Sequence, residues 1–336
     1  MTVRFYSSLD TGAPALSGDL YDRLRAIFKA CLVDGYGSKP AAGWTVGHDV
    51  SGGFSLSNGD GVINLVRTVT YNVAVYIMEA ITDASAALAG GVNRRSAGWY
   101  DGSSATERFY IYNSTSGLNG GANQHWVVIA DEKTVIFSGS GGTATADQPQ
   151  SSYAASVYFG NYINALGLTG AAEFCCLGGA NAAGTNSGQI LGAPASRFGM
   201  ALRNPYNGLV EQGVTPRYGA SGAAHSRGVA SMTAIPTLQI DRLLPVRAGL
   251  MCYGAGINGS ATATTAALAG YLRGLISEPM LCSGKLSNVL ALLGVSNVWQ
   301  SRCAALSLPG GRSWVPIYPH ESDMGFFASL DAADWG

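Results

Sequence analysis

The chain has 336 residues with 20 Lys and Arg against 21 Asp and Glu, 12% charged in all, and a formal net charge of -1 at pH 7; soluble domains usually carry about 25% charged residues. Near-neutrality leaves no electrostatic footprint for nucleic acid, and 47% apolar content argues against disorder. No apolar run approaches the ~18 residues of a membrane-spanning helix: residues 286–299 are broken by Ser287, Asn288, Gly294, Ser296 and Asn297.

A compact monomer of this length exposes roughly 13,000 Å², so its charges stand at about half the usual surface density. Either Ser, Thr, Asn and Gly carry the surface, or much of it is covered by partners. The 46 glycines follow no three-residue period, which excludes collagen. Residues 1–10 lack the apolar stretch of a signal peptide, so the chain is expected to be made and kept in a cytoplasm.

In chain order, the first element is a helix over residues 20–33. Leu20, Leu24, Ile27, Phe28, Cys31 and Leu32 form one apolar stripe at 3.6-residue spacing, with Asp22, Arg23, Arg25 and Lys29 on the other face. Ser17 and Asp19 are available as caps, and Gly35 stands where a left-handed C-terminal cap belongs. From Phe54 the period becomes two, predicting strands over 54–57, 61–67 and 71–77, with Asn58, Gly59, Asp60 and Gly61 as the first turn. A strand is expected over 108–112, then a hairpin of 126–130 and 134–137 around Asp131, Glu132 and Lys133.

Residues 138–152, rich in Gly, Ser, Thr and Ala, read as a linker or long loop. They divide the chain into an N-terminal helix-plus-β lobe, 1–145, and a Gly-rich β lobe, 146–336. Beyond them, strands are expected over 156–159, 173–177, 237–240 and 246–253, an extended loop over 178–188, and aromatic-punctuated stretches over 314–318 and 326–330. The expected fold is mainly β (α+β): antiparallel, sandwich- or barrel-like sheets with one N-terminal amphipathic helix and long Gly-rich loops.

Residues that could carry chemistry are few. Cys31, Cys175, Cys176, Cys252, Cys282 and Cys303 include no C-x-x-C pair, so free thiols are expected rather than disulfides or a zinc site. Gly254, Gly256 and Gly259 match G-x-G-x-x-G, but the residues after them are poor helix formers, and a glycine turn is the expectation. No G-x-S-x-G or P-loop pattern occurs. His48, His125, His225 and His320 have no obvious partners beyond Ser221 or Ser226 beside His225. Asp131 with Glu132 reads as a hairpin tip, and Asp331 with Asp334 as a terminal segment. No catalytic, cofactor-binding or metal-ligating residue is assigned, and no cofactor is expected. Trp44, Trp99, Tyr100, Tyr110, Tyr112, Trp126, Tyr153, Tyr158 and Tyr162 fit either a β core or an interface, and the N-terminal lobe that holds most of them is expected to carry the larger share of any contact.

The opening Phe5-Tyr-Ser-Ser-Leu-Asp-Thr-Gly-Ala-Pro14 and the later Ala30-Cys-Leu-Val-Asp-Gly-Tyr-Gly-Ser-Lys-Pro-Ala-Ala-Gly-Trp44 resemble a family of structural proteins of tailed bacteriophages and prophages, found among tail and baseplate genes. The resemblance is close over about residues 5–45. It continues loosely to about 165 through Arg95-Ser-Ala-Gly-Trp99, Arg108-Phe-Tyr-Ile-Tyr112, the Trp126 hairpin and Phe159-Gly160, with Tyr271-Leu-Arg-Gly-Leu275 further on. It implies a non-enzymatic virion subunit of a tail tip or baseplate, assembled in the host cytoplasm. Its partners would be other virion proteins, in multiple copies in a symmetric assembly, with no nucleic acid and no membrane insertion. Two alternatives are a receptor- or glycan-binding tail-fibre adhesin that attaches to the host, with an exposed aromatic groove, and a cell-envelope hydrolase, with a clustered acid pair or His site.

Overall fold

The computed structural model describes residues 1–69, 72–96, 99–100, 109–112, 125–140, 154–180, 197–210, 215–218, 247–253, 266–276, 304–307, 311–317 and 326–336. Helix α1 (Leu20–Phe28) begins where Asp19, in extended conformation, accepts the Asp22 N–H at 3.1 Å. Of the two candidate caps, Asp19 is therefore the one used. The helix continues as wider π turns over Lys29–Asp34, where the Gly35 N–H reaches back five residues to the Ala30 carbonyl at 2.8 Å. Gly35, at φ +76°, ends it in the left-handed region that favours glycine.

The remaining elements are strands. Those of the large sheet are β1 (Arg4–Ser7), β2 (Thr45–Val50), β3 (Gly53–Ser57), β4 (Val62–Val69), β5 (Asn72–Met78), β8 (Arg95–Ser96), β9 (Trp99–Tyr100), β10 (Phe109–Tyr112), β11 (His125–Ala130), β12 (Thr134–Ser140), β13 (Ala154–Asn161), β15 (Phe174–Ala180) and β16 (Arg197–Ala201). Among the described residues its main path runs β1-β11-β12-β13-β15-β10-β5-β4-β3-β2, antiparallel throughout. A second antiparallel sheet holds β14 (Ile163–Asn164), β17 (Thr215–Tyr218), β18 (Arg247–Tyr253), β19 (Ala266–Ile276), β20 (Leu306–Ser307), β21 (Ser313–Ile317) and β22 (Phe326–Ser329). A two-stranded ribbon, β6 (Ala80–Asp83) and β7 (Gly90–Val92), completes the set.

The two hairpins read from turn chemistry are present. Asn58 Oδ1 accepts the Asp60 and Gly61 N–H groups at 3.0 and 3.1 Å between β3 and β4, and Asp131 organises the turn between β11 and β12. Strand β12 runs on through Ser140, into the stretch read as a linker, and pairs with β13 at seven positions, from Thr134 opposite Gly160 to Ser140 opposite Ala154. The strand expected over 237–240 lies outside the described residues. The expected loop at 178–188 begins inside β15, and 181–188 lie outside the described residues.

The layers follow from side-chain alternation. On β11, β12, β13 and β15, Trp126, Val128, Ala130, Val135, Phe137, Val157, Phe159, Phe174 and Cys176 face α1 and pack with Leu20, Leu24, Ile27, Phe28, Cys31 and Leu32. Their neighbours Val127, Ile129, Ile136, Tyr158, Cys175 and Leu177 face the second sheet and pack with Leu250, Ala269, Leu272, Val315, Ile317, Ala328 and Trp335. The order is helix, sheet, sheet. Strands covered on both faces become continuous apolar runs, as in Trp126-Val-Val-Ile-Ala130, rather than alternating ones. Further along the large sheet, Val62, Ala74, Tyr76 and Met78 are covered instead by Ile81, Leu88 and Ala89 of the ribbon and its connecting loop.

Candidate functional site

Asp131 and Arg273 hold the most consequential polar arrangement in the described residues. Asp131 Oδ1 accepts the N–H groups of Lys133 and Thr134 at 2.9 and 2.8 Å, which shapes the β11–β12 turn. Its Oδ2 accepts from Arg273 Nη2, on β19 of the second sheet, at 2.7 Å. Arg273 Nη1 donates to Thr134 Oγ1 at 3.0 Å, and its Nε to the Trp335 carbonyl. The Arg273 backbone N–H donates to Tyr158 Oη at 3.1 Å, and that hydroxyl donates to the Asn161 carbonyl at 2.6 Å. Both charges are buried. Burial pushes the Asp131 carboxyl above its ordinary value, against the pull of Arg273 and the two N–H groups. With its donors and acceptors satisfied inside the molecule, this is a fastening between two sheets rather than a site open to substrate.

The sequence places Asp131 with Glu132 at a hairpin tip. It does sit at that turn, but the second sheet stacks over it and makes it interior. The available signal was a lone Arg in the apolar run of β19, Ala266-Ala-Leu-Ala-Gly-Tyr-Leu-Arg-Gly-Leu-Ile276, which demands a buried anion.

Other candidates resolve into internal contacts. His48 Nδ1 lies 2.8 Å from Ser55 Oγ, the spacing of a nucleophile and its base. Ser55 is fully buried and also accepts the His48 N–H at 2.8 Å, while His48 Nε2 faces the Ala87 carbonyl at 3.4 Å, so no substrate reaches the hydroxyl. Asp334 accepts from Ser329 Oγ at 2.6 Å and faces Arg312, and Asp331 caps a short turn through the Ala333 N–H. Cys31, Cys175 and Cys176 are buried and in no disulfide, and burial raises the thiols of Cys31 and Cys176. Among the described residues no three His, Cys, Asp or Glu side chains are grouped to hold a metal ion, and no helix is long and apolar enough to cross a membrane. His225, His320, the glycine motif at 254–259, Cys282 and Cys303 lie outside the described residues.

The aromatics read as core or interface divide as follows. Trp44, Trp126, Tyr158 and Tyr162 are buried in the interior, Trp44 donating to the Asp131 carbonyl at 3.0 Å. Those four cannot form the contact surface expected of the N-terminal lobe. Several ion pairs gather around α1. Around α1, Arg25 binds Asp49 through two bonds at 2.8 and 2.5 Å, Arg67 bridges Asp19 and Asp22 and lies over the Tyr21 ring, Lys29 meets Asp34, and Lys39 meets Asp10. Burial, set against the nearby Arg25, lifts the Tyr21 hydroxyl to about 12.

Among the segments that carry no Lys, Arg, Asp or Glu are 154–172, 204–210 and 266–271, which meet in the fold. Ile163 pairs with Tyr271, the Ala165 N–H reaches the Ala269 carbonyl at 2.9 Å, and Asn164 Nδ2 donates to the Pro205 carbonyl at 2.9 Å. Here Leu166, Leu209, Tyr271 and Val210 stand 62%, 58%, 38% and 37% exposed. Single exposed apolar residues are ordinary, whereas large exposed apolar patches are the ones that mark contact surfaces.

No family model matches the chain, and neither does any curated protein or solved structure.

Proposed function

We propose that the chain is a non-catalytic structural subunit of a bacteriophage tail tip or baseplate, built to bind other virion proteins. The observation that carries this reading is how the protein uses its few charges. Asp131 and Arg273 are spent between the sheets, Arg203 and Glu79 on each other through bonds of 2.7 and 2.8 Å, Lys133 on Asp60 at 2.6 Å, and the pairs around α1 on one face. Residues 153–172 and 204–210 carry no charge, and Leu166 and Leu209 within them are exposed, which suits contact with protein rather than with nucleic acid or anionic lipid. The likeness of residues 5–45 to tail and baseplate proteins points the same way and supplies the kind of assembly.

The test is direct. Particles purified from the phage or prophage that carries the gene should contain this chain in a stoichiometric ratio to known tail proteins by quantitative mass spectrometry. Particles without it, or with it only in traces removed by a salt wash, would overturn the reading.

A further inference from the structure

We infer that Glu173 is a pH-sensitive element at the joint between the two sheets, tightening the joint when it holds a proton and weakening it when ionised; the inference holds whatever the chain assembles with. Between β13 and β15 the chain crosses to the second sheet as β14, where Ile163 pairs with Tyr271. The short turn Gly170–Glu173 holds this crossover at three points. The Ala172 carbonyl accepts the Tyr162 hydroxyl at 2.8 Å, the Glu173 carbonyl accepts the Tyr162 N–H at 2.9 Å, and the Glu173 carboxyl accepts the Asn164 N–H. Asn164 in turn fixes the following loop, its Oδ1 accepting the Leu166 N–H at 2.8 Å.

The Glu173 carboxyl shares its donor with a second carboxyl. Buried Asn161 donates from Nδ2 to Asp60 Oδ2 at 2.8 Å and, at 3.5 Å, toward Glu173 Oε2. The other end of that amide is taken, since Asn58 Nδ2 donates to Asn161 Oδ1 at 2.8 Å. Three charged groups face Glu173 from the elements around it. Asp60 comes from the β3–β4 turn, with Lys133 of the β11–β12 turn bound to it at 2.6 Å, and Arg273 comes from β19. Lys133 compensates Asp60, and the Arg273 guanidinium is committed to Asp131, Thr134 and Trp335. Among the described residues no cation pairs with Glu173 itself. A part-buried carboxylate beside a like charge, with no counterion of its own, is the costlier of its two forms. Burial accordingly pushes the Glu173 carboxyl above its ordinary value, helped by Asp60 and against the pull of the Asn164 N–H, Arg273 and Asn161. A folded value above the unfolded one gives stability that is complete below the unfolded carboxyl range and is lost as pH rises through the folded value.

The experiment compares the full chain with Glu173→Gln, an uncharged side chain of the same shape whose Oε1 accepts the Asn164 N–H as the acid does. Thermal melts are followed from about pH 4 to 8. Every other carboxyl titrates in both proteins, so the difference between their curves isolates Glu173. The expected result is that the curves coincide near pH 4 and part as pH rises, with the variant melting higher at neutrality. Asp60→Asn removes the like charge, so in that background the gap at neutrality should narrow. Hydrogen exchange locates the effect: at neutrality the amides of residues 162–168 should exchange faster in the unaltered chain than in Glu173→Gln, and equally near pH 4. A gap that is constant with pH, or a variant that melts lower at neutrality, overturns the inference. So does a gap that Asp60→Asn leaves untouched, or an exchange difference confined to segments away from 162–168.

Discussion

Arg273 shows how much of this molecule depends on single residues at the seam. Its guanidinium is the counterion of a carboxylate 142 positions away in sequence, so the pair was invisible to any local reading. Removing one partner leaves the other charge buried and uncompensated. Arg273→Met is expected to cost about 3–5 kcal/mol in urea melts, and pairing it with Asp131→Leu should recover a large part of that, since well-packed apolar groups often replace a buried ion pair at little loss. A purely additive double substitution would show that the two residues do not act on each other. Next to Arg273, Gly274 has φ +65°, and a Cβ there would fall inside the Trp335 indole, so Gly274→Ala strains the backbone and displaces a buried ring.

Among the described residues, two part-buried carboxyls, Glu79 and Asp49, contribute to stability that acid removes. Glu79 is raised by burial, but the two bonds from Arg203, with Asn93 and Arg95, outweigh this and hold it below the ordinary carboxylate range. The Arg25 hydrogen bonds likewise hold Asp49 down. Depressed folded values mean that this stability is present above the unfolded carboxyl range and is lost as pH falls through the folded values. Asp131 is shifted the other way, so its protonation favours the folded state and it does not drive acid unfolding. Thermal melts between about pH 3 and 7 should show Glu79→Gln less stable than the unaltered chain at neutrality and converging with it in acid. A gap that stays constant across that range would remove Glu79 as the titrating group.

At the scale of elements, local pattern was the better guide wherever one residue type has one geometric job. The α1 stripe, the Asp19 cap, Gly35 and the Asn58 and Asp131 turns were all readable from spacing and turn chemistry. Strands β1 and β2 escaped because neither is bracketed by a strong turn. Strand β19 escaped because its Ala, Gly and Leu carry no β-branched signal, and its pairing with β18 and β14 comes entirely from tertiary context. The π turns at the end of α1 also left no mark in the apolar spacing.

The stripe's role is checkable. Phe28 meets Phe137 and Phe159 edge-on, with ring centroids 5.3 and 5.4 Å apart. Phe28→Ala should therefore cost about 3–5 kcal/mol by chemical denaturation and Leu24→Ala about 2–5. Losses of only a few tenths would take the helix off the sheet.

For the whole molecule, the layer order was the least legible feature. It depends on which face of Trp126-Val-Val-Ile-Ala130 each neighbour covers, and a strand buried on both faces has no polar side to reveal it. The candidate surface was half legible. The charge deficit was plain in the composition and pointed to covered area, while four of the aromatics suited to such a contact, Trp44, Trp126, Tyr158 and Tyr162, fill the core. Leu166 and Leu209 on loops and Tyr271 on β19 are brought together only where β14 lies against β19. The central claim is that the chain is a structural subunit whose surface around Leu166, Leu209 and Tyr271 is covered by neighbouring virion proteins. A structure of the intact particle, with buried area tallied residue by residue, tests it most directly. The account predicts more than ~800 Å² covered per neighbour, with Leu166, Leu209 and Tyr271 inside contacts and the Arg25, Asp49 and Arg67 face in solvent. Burial of the α1 face with the leucine loops left in solvent would contradict it.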